Sequence, residues 1–120
     1  MYYKDLEVWK ESISLVTEIY NITSNFPKEE VYGLTSQIRR CAVSIPSNIA
    51  EGVVKHSDKE TLRFLDVSLG SISELDTQMI IASELKYIDN YDEINIKISK
   101  VRALLIGLIK YYKKQNTEIS

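Results

Sequence analysis

The sequence predicts an all-α protein, an antiparallel up-down four-helix bundle formed by a single domain over residues 1–120. Three observations predict this fold. Apolar residues recur every three or four positions, Pro- and Gly-containing breaks divide the chain into four segments, and no segment shows the alternation typical of a strand. With 44% hydrophobic and 27% charged residues, the chain has the composition of one globular domain. The four helices are expected at about residues 5–25, 29–52, 58–86 and 90–114.

The first predicted helix carries two apolar stripes instead of one. Asp5 is its expected N-cap, and the residue before Pro27 ends it, since that residue is pushed out of helical geometry. Two stripes are wider than one neighbouring helix covers, so this helix should contact more than one partner. The stripes are Leu6, Trp9, Ile13, Val16 and Tyr20, and then Val8, Leu15, Ile19, Ile22 and Phe26.

The second predicted helix contains a proline. The acids of Lys28-Glu29-Glu30 favour a helix start, and Gly52 favours its end. Pro46 lies inside the segment, where it removes a backbone donor and crowds the preceding turn, so we expect a kink or a short break near residues 42–45. The predicted inner face is Leu34, Ile38, Cys41, Ile45, Asn48 and Ile49.

The third and fourth helices have capping signals. Ser57 and Glu60 form a capping-box sequence before the third helix, and Asn90 is placed to cap the fourth. In the fourth helix, residues 103–109 are apolar all round, so a further surface must cover their outer side. The predicted inner faces are Leu65, Ser68, Ile72, Leu75, Met79 and Ala82 in the third helix, and Ile94, Ile98, Val101, Leu105, Leu108 and Tyr112 in the fourth.

The excess apolar surface of the first and fourth helices predicts self-association. A bundle core uses one stripe from each helix, and further copies of the chain would cover the rest. The alternative is an apolar patch left on the surface. The candidate oligomer-interface residues are Leu15, Ile19, Ile22, Ile106 and Ile109.

Several stretches resemble a known family. They are Phe26-Pro27, the run from Tyr32 to Arg40 (YGLTSQIRR), the run from Ser44 to Gly52 (SIPSNIAEG), Phe64-Leu65, the run from Gly70 to Leu75, and Leu6-Glu7-Val8-Trp9. They resemble the four-helix bundle proteins encoded in intervening sequences of bacterial large-subunit ribosomal RNA genes. That family includes the accessory variability determinants of diversity-generating retroelements.

The resemblance implies a bundle that assembles into a ring-shaped homopentamer, and it implies no catalytic activity. The retroelement members are strongly basic and bind nucleic acid and a reverse transcriptase. This chain instead has 15 basic and 17 acidic side chains and a net charge of -2. That balance argues against a generic polyanion binder.

The residue types needed for catalysis or cofactor binding are missing from the sequence pattern. The sole histidine, His56, cannot complete a paired Glu-x-x-His metal site. Cys41 is expected in the core as a structural thiol, away from a base that would activate it. The glycines are isolated, so no phosphate loop is present. We therefore predict no enzyme, no cofactor, no metal, no small-molecule substrate and no membrane partner, and a cytoplasmic location.

Two polar features remain. Asn48 lies on the apolar rhythm beside Pro46 with Glu51 nearby, which indicates a structural hydrogen-bond network, with a ligand site as the alternative. Basic residues without intervening acids mark the fourth helix, and Arg39, Arg40, Lys55 and Arg63 are candidates for a second cluster. Solvation of the helix surface is the simpler interpretation. The candidate contacts to nucleic acid or a partner are Arg39, Arg40, Lys55, Arg63, Lys97, Lys100, Arg102, Lys110, Lys113 and Lys114.

The leading functional hypothesis is therefore a non-catalytic oligomeric scaffold or adaptor, with itself as the first partner and a protein or nucleic acid as the second. The alternative is an RNA- or DNA-binding accessory protein that uses the basic residues.

Overall fold

The computed structural model describes residues 1–119, with side chains for residues 1–115. Within that range the chain forms four α-helices and two short 3-10 helices, and no β-strand. The all-α prediction is confirmed. The 3-10 helices are Tyr3–Asp5 and Lys28–Glu30, and the α-helices are α1 (Glu7–Thr23), α2 (Leu34–Val53), α3 (Asp58–Glu84) and α4 (Tyr91–Ile119).

The four helices surround one core. Each helix contacts the next along the chain, and α1 also contacts α4, whereas in the described residues no Cα atom of α1 lies within 8 Å of one in α3, and none of α2 within 8 Å of one in α4. The molecule is elongated, 51 × 25 × 21 Å, with a continuous line of buried apolar side chains between the helices. In α3 the predicted inner face is confirmed at all six positions, each of them fully buried.

The candidate interface residues of α1 belong to its second apolar stripe, but this is the stripe that enters the core. Val8, Leu15, Ile19 and Phe26 of the second stripe lie in the core. The first stripe points outward: Trp9 and Val16 are half-buried, and Ile13 and Tyr20 are exposed. In α4 the predicted inner face is confirmed except at one position. Leu108 was expected there, but Ile109 is buried and Leu108 is half-buried.

Two helix starts, those of α3 and α4, are capped as the sequence indicates. The Ser57 hydroxyl accepts a hydrogen bond from the Glu60 amide, and the Asn90 side chain accepts one from the Glu93 amide. Asp5 is not the N-cap of α1; it lies in a 3-10 turn, and Leu6 occupies the cap position without a side-chain hydrogen bond. At α2, the Glu30 carboxylate accepts from the Leu34 amide at 3.2 Å and takes over the capping role.

The prediction for α2 is corrected at its start and at two further residues. Lys28–Glu30 forms a 3-10 helix, so α2 begins at Leu34 and not at about residue 29. The helix runs uninterrupted through Pro46, so the expected break is absent, while a change of axis direction there stays a prediction. Gly52 does not end the helix either, which continues to Val53. An added Cβ at Gly52 would lie 2.9 Å from the Phe64 Cβ and 3.2 Å from the Thr61 carbonyl oxygen, so this glycine allows α2 and α3 to approach closely.

Candidate interaction surfaces

An apolar groove lies on the outside of α1 and α2. We call it the α1–α2 groove; its volume is about 300 Å³. It forms because the outward stripe of α1 lies beside a stripe of α2 spaced by three and four residues, with Val43 and Ile13 each 40% exposed. No carboxylate, amine or guanidinium lines it. The lining residues are Tyr3, Trp9, Ile13, Val16, Val43, Pro46, Ser47 and Ala50.

The sequence predicts only one side of this groove. The sequence predicts the α1 side of the groove as an apolar stripe, without predicting that this stripe lies outside the core. The α2 half was not singled out, although Val43, Ser47 and Ala50 recur at helical spacing opposite to the inner face. That recurrence of uncharged side chains on the outside of a helix was the available signal.

Three of the five predicted interface residues lie in the subunit's own core. Leu15 and Ile19 are completely buried and Ile109 is 5% exposed, so their side chains cannot contact a second copy. The reason is that sequence periodicity defines the faces of a helix but does not say which face meets the neighbouring helices. Ile22 and Ile106 are half-buried and reach the surface.

A polar seam joins α2 to α3. The Ser68 hydroxyl donates to the Ile45 carbonyl at 2.9 Å, and the Thr61 hydroxyl donates to the Gly52 carbonyl at 2.8 Å. The Ser44 and Ser71 hydroxyls share a further hydrogen bond. These bonds satisfy polar groups that close helix packing removes from water, as buried polar groups require.

Asn48 belongs to this seam, as its predicted structural role implies. Its amide nitrogen donates to the Ser44 carbonyl at 2.8 Å and to the Ser44 hydroxyl at 2.9 Å. The partner is therefore the preceding turn of the same helix. Glu51, in contrast, is exposed and forms no hydrogen bond or ion pair with the residues whose side chains are described.

Cys41 is buried against the seam, as predicted, and its thiol donates to the Ser71 carbonyl. Burial, and secondarily the carboxylate of Glu74, raises the pKa of the Cys41 thiol to about 12. A thiol that stays protonated at neutral pH is a poor nucleophile and a poor metal ligand.

Three of the six predicted basic residues of α4 lie beside acids of the same chain. Lys97 pairs with Glu18 at 3.0 Å, and Lys100 pairs with Glu11 at 3.2 Å. Arg102 lies 3.8 Å from Asp76, a carboxylate that also accepts a hydrogen bond from the Tyr91 hydroxyl. Burial, together with this hydrogen bond, raises the pKa of Tyr91 to about 12. Half of the predicted α4 basic patch therefore joins α4 to its neighbours.

The second predicted basic cluster is divided between different surfaces. Arg39 donates to the Thr23 hydroxyl at 2.9 Å and stacks over the Tyr20 ring, on the α1 side of α2. Arg40 lines a cleft on the α3 side with Glu74. Lys55 and Arg63 share one aromatic partner, the Phe64 ring, with the Lys55 nitrogen 4.9 Å and the Arg63 guanidinium carbon 5.3 Å from its centre. On α4, Lys110, Lys113 and Lys114 are exposed.

The described residues contain no cluster of His, Cys, Asp and Glu side chains that could hold a metal ion. In the same part of the chain, no helix is long and apolar enough to cross a membrane.

Comparison with known proteins agrees with this fold. A crystal structure of a protein with unknown function from the S23 ribosomal protein family of Bacteroides thetaiotaomicron superposes with a TM-score of 0.80 at 24% identity. The match covers 92% of this chain and 99% of that one. No curated protein matches the chain. The sequence model of the 23S rRNA-intervening sequence proteins matches residues 4–107. The chain therefore belongs to the 23S rRNA-intervening sequence protein family.

Proposed function

We propose that this protein is a non-catalytic scaffold that acts as a homo-oligomer, and that its outward apolar surface forms the contact between copies. The observation that carries the proposal is the α1–α2 groove, where Trp9, Ile13 and Val43 face water together. Clustered apolar surface of this kind marks interaction sites in soluble proteins. The family resemblance supports a ring-shaped homopentamer as the form of the assembly.

The proposal also includes the direction of the helices and the compartment. An up-down order with alternating directions is supported by two contacts between chain segments far apart in sequence. The Tyr87 hydroxyl, after α3, donates to Glu30, before α2, at 2.9 Å, and the Tyr112 hydroxyl of α4 lies 3.5 Å from the Met1 sulfur.

A cytoplasmic location is supported by the single, buried, unpaired cysteine.

Light scattering coupled to size exclusion tests the assembly with two variants. We expect the wild-type chain to elute as an oligomer and Val43→Glu to elute as a monomer, because a carboxylate in the groove would be buried without a partner. Glu51→Gln is the matched control, since it changes the charge by one unit on the same helix at an exposed site outside the groove. A wild-type chain that is monomeric at every concentration would refute the scaffold proposal.

The second candidate function is RNA or DNA binding, and the Lys55–Phe64–Arg63 group favours it. Two cations that share one aromatic ring offer neighbouring contacts to phosphates. If this holds, the double variant Lys55→Glu and Arg63→Glu should lose filter retention of labelled RNA at low salt. Lys97→Gln should keep it, because Lys97 pairs with Glu18. Absence of retention by the wild-type chain at low salt would remove this candidate.

A further inference from the structure

We propose that a pocket beside the α3–α4 connection is a docking site for a basic segment of a partner protein. An apolar side chain of that segment enters the pocket, and its lysine or arginine side chains lie against the surrounding carboxylates. We call it the loop pocket; its volume is about 420 Å³, and it shares no residue with the α1–α2 groove, so the inference goes beyond the proposed self-assembly. Its apolar and acidic lining residues are Glu18, Ile22, Ile88, Asp89, Glu93 and Ile94.

The loop pocket forms because the chain reverses sharply after α3. Lys86 adopts a φ of 65°, in the left-handed region that commonly ends a helix, and the Tyr87 amide donates back to the Ala82 carbonyl at 2.9 Å. The reversal brings Tyr87 to the α1–α2 connection. There its hydroxyl donates to Glu30 at 2.9 Å, and its ring centre lies 5.4 Å from that of Phe26. The two connections are therefore held side by side next to the pocket.

Three isoleucines form the apolar part of the loop pocket. Ile94 is 2% exposed, whereas Ile22 and Ile88 are half-buried, so part of their surface still faces water. A partner side chain that covers this surface removes it from water, which favours binding. The loop pocket thus offers room and apolar contact to a large aliphatic side chain.

The charged side chains that line the loop pocket are all acidic. Glu18 is paired with Lys97 at 3.0 Å, whereas Asp89 and Glu93 are exposed and form no ion pair with the described residues. The surrounding surface has the same sign. Residues 24–33 and 84–93, which form the two connections and the adjoining turns, carry six carboxylates against two lysines, a net charge of -4, in a chain whose total is -2.

The nearby cations leave this charge in place. The two lysines are Lys28 and Lys86, and neither lines the loop pocket. Arg39 reaches the end of α1, but from α2, where it donates to the Thr23 hydroxyl. Lysine or arginine side chains of a partner therefore meet complementary charge here, whereas an acidic segment is repelled. An apolar pocket in acidic surroundings selects a basic segment that also carries an aliphatic side chain.

Fluorescence anisotropy at low salt with three labelled synthetic peptides tests the inference. The peptides are KKLKK, KKSKK and EELEE, each with capped ends. We expect the wild-type chain to bind KKLKK and not EELEE. KKSKK keeps the charge but should bind about tenfold more weakly, because serine cannot replace the buried apolar surface of leucine. Equal binding of KKLKK and KKSKK, or no binding of KKLKK, would overturn the inference.

The double variant Asp89→Asn with Glu93→Gln tests the site itself. Both positions are exposed, circular dichroism checks the fold, and KKLKK binding should fall about tenfold. The matched control is Glu51→Gln with Asp66→Asn, which removes the same charge at exposed positions outside the loop pocket and should bind KKLKK like the wild type. An equal loss in the two double variants would mean that only the overall charge matters, contrary to the inference.

Light scattering of Asp89→Asn with Glu93→Gln separates this inference from the scaffold proposal. We expect the same oligomer size as for the wild type. A smaller oligomer would mean that another copy covers the loop pocket, for instance through Lys110 and Lys114, and the separate partner would then be refuted. A wild-type chain that is monomeric and binds KKLKK would remove the scaffold proposal and leave this inference standing.

Discussion

The α2–α3 contact and the α1–α4 contact hold the same core together by different means. Between α2 and α3, buried hydroxyls donate to backbone carbonyls of the facing helix, and Gly52 brings the two backbones close. Between α1 and α4, the polar contacts are two ion pairs at the surface, Lys97 with Glu18 and Lys100 with Glu11. Buried hydrogen bonds and close packing depend on geometry, whereas surface ion pairs are weak and screened by salt.

The comparison leads us to expect that the α2–α3 contact contributes more to the stability of the fold than the α1–α4 seam does. The α1–α2 groove takes one of its two helices, α2, from the more strongly held pair. The following predictions disturb first the α2–α3 contact and then the α1–α4 seam.

Gly52→Ala should give the largest effect. The new Cβ would lie 2.9 Å from the Phe64 Cβ, so the helices must separate, at a cost of about 1–3 kcal/mol in the free energy of unfolding. Gly107→Ala is the control, since nothing lies within 4 Å of its added Cβ and its φ is not positive. That change should stabilise α4 by about 0.5–1 kcal/mol. Urea unfolding of both variants measures the difference; equal effects would contradict a close contact at Gly52.

Alkaline pH should weaken the α2–α3 contact through Cys41. Its folded pKa is raised to about 12, above its value in the unfolded chain, so its contribution to stability is complete below about pH 8.5 and is lost as pH rises towards 12. The slope is about 1.4 kcal/mol per pH unit for one proton. Cys41→Ala should remove this part of the slope between pH 9 and about 11 in urea titrations.

In the native state at pH 8, the same thiol should react with a disulfide reagent far more slowly than in the urea-unfolded chain. Rapid labelling of the folded protein would mean that the α2–α3 contact opens more readily than its hydrogen bonds imply.

Asn48→Ala should have an intermediate effect. The substitution removes two hydrogen bonds to Ser44, which is itself bonded to Ser71 of α3, so we expect a loss of about 0.5–1.5 kcal/mol. Glu51→Gln, at an exposed position of the same helix outside the groove, should change the melting temperature little. An unchanged melting temperature and an unchanged oligomer size for Asn48→Ala would argue against a structural role for this side chain.

Breaking an α1–α4 ion pair should have the smallest effect. Glu18→Gln leaves Lys97 without its carboxylate and should cost about 0.2–1 kcal/mol at low salt. In about 1 M salt the difference from the wild type should nearly vanish, because screening acts over a few ångströms at that ionic strength. The Gly52→Ala effect should persist there, so a salt-independent loss in Glu18→Gln would remove the contrast between the two contacts.

The sequence by itself determined the parts of the structure that depend on local spacing. The four helices, the buried face of α3, and the caps at Ser57 and Asn90 follow from residues within one or two turns of each other. The family was also readable, because its motifs are contiguous runs of residues. The capping role of Glu30 escaped prediction, since it depends on how the turn before α2 folds back on itself.

Only the tertiary structure decided which apolar stripe of α1 enters the core and which basic residues stay unpaired. Leu15 and Ile13 both lie on apolar stripes with helical spacing, yet one is fully buried and the other is exposed. Lys97 and Lys110 both belong to the predicted basic patch, but of the two only Lys97 forms an ion pair with a described residue, Glu18 of α1. The physical reason is that periodicity defines the faces of a helix, while burial and ion pairing depend on the neighbours that each face meets.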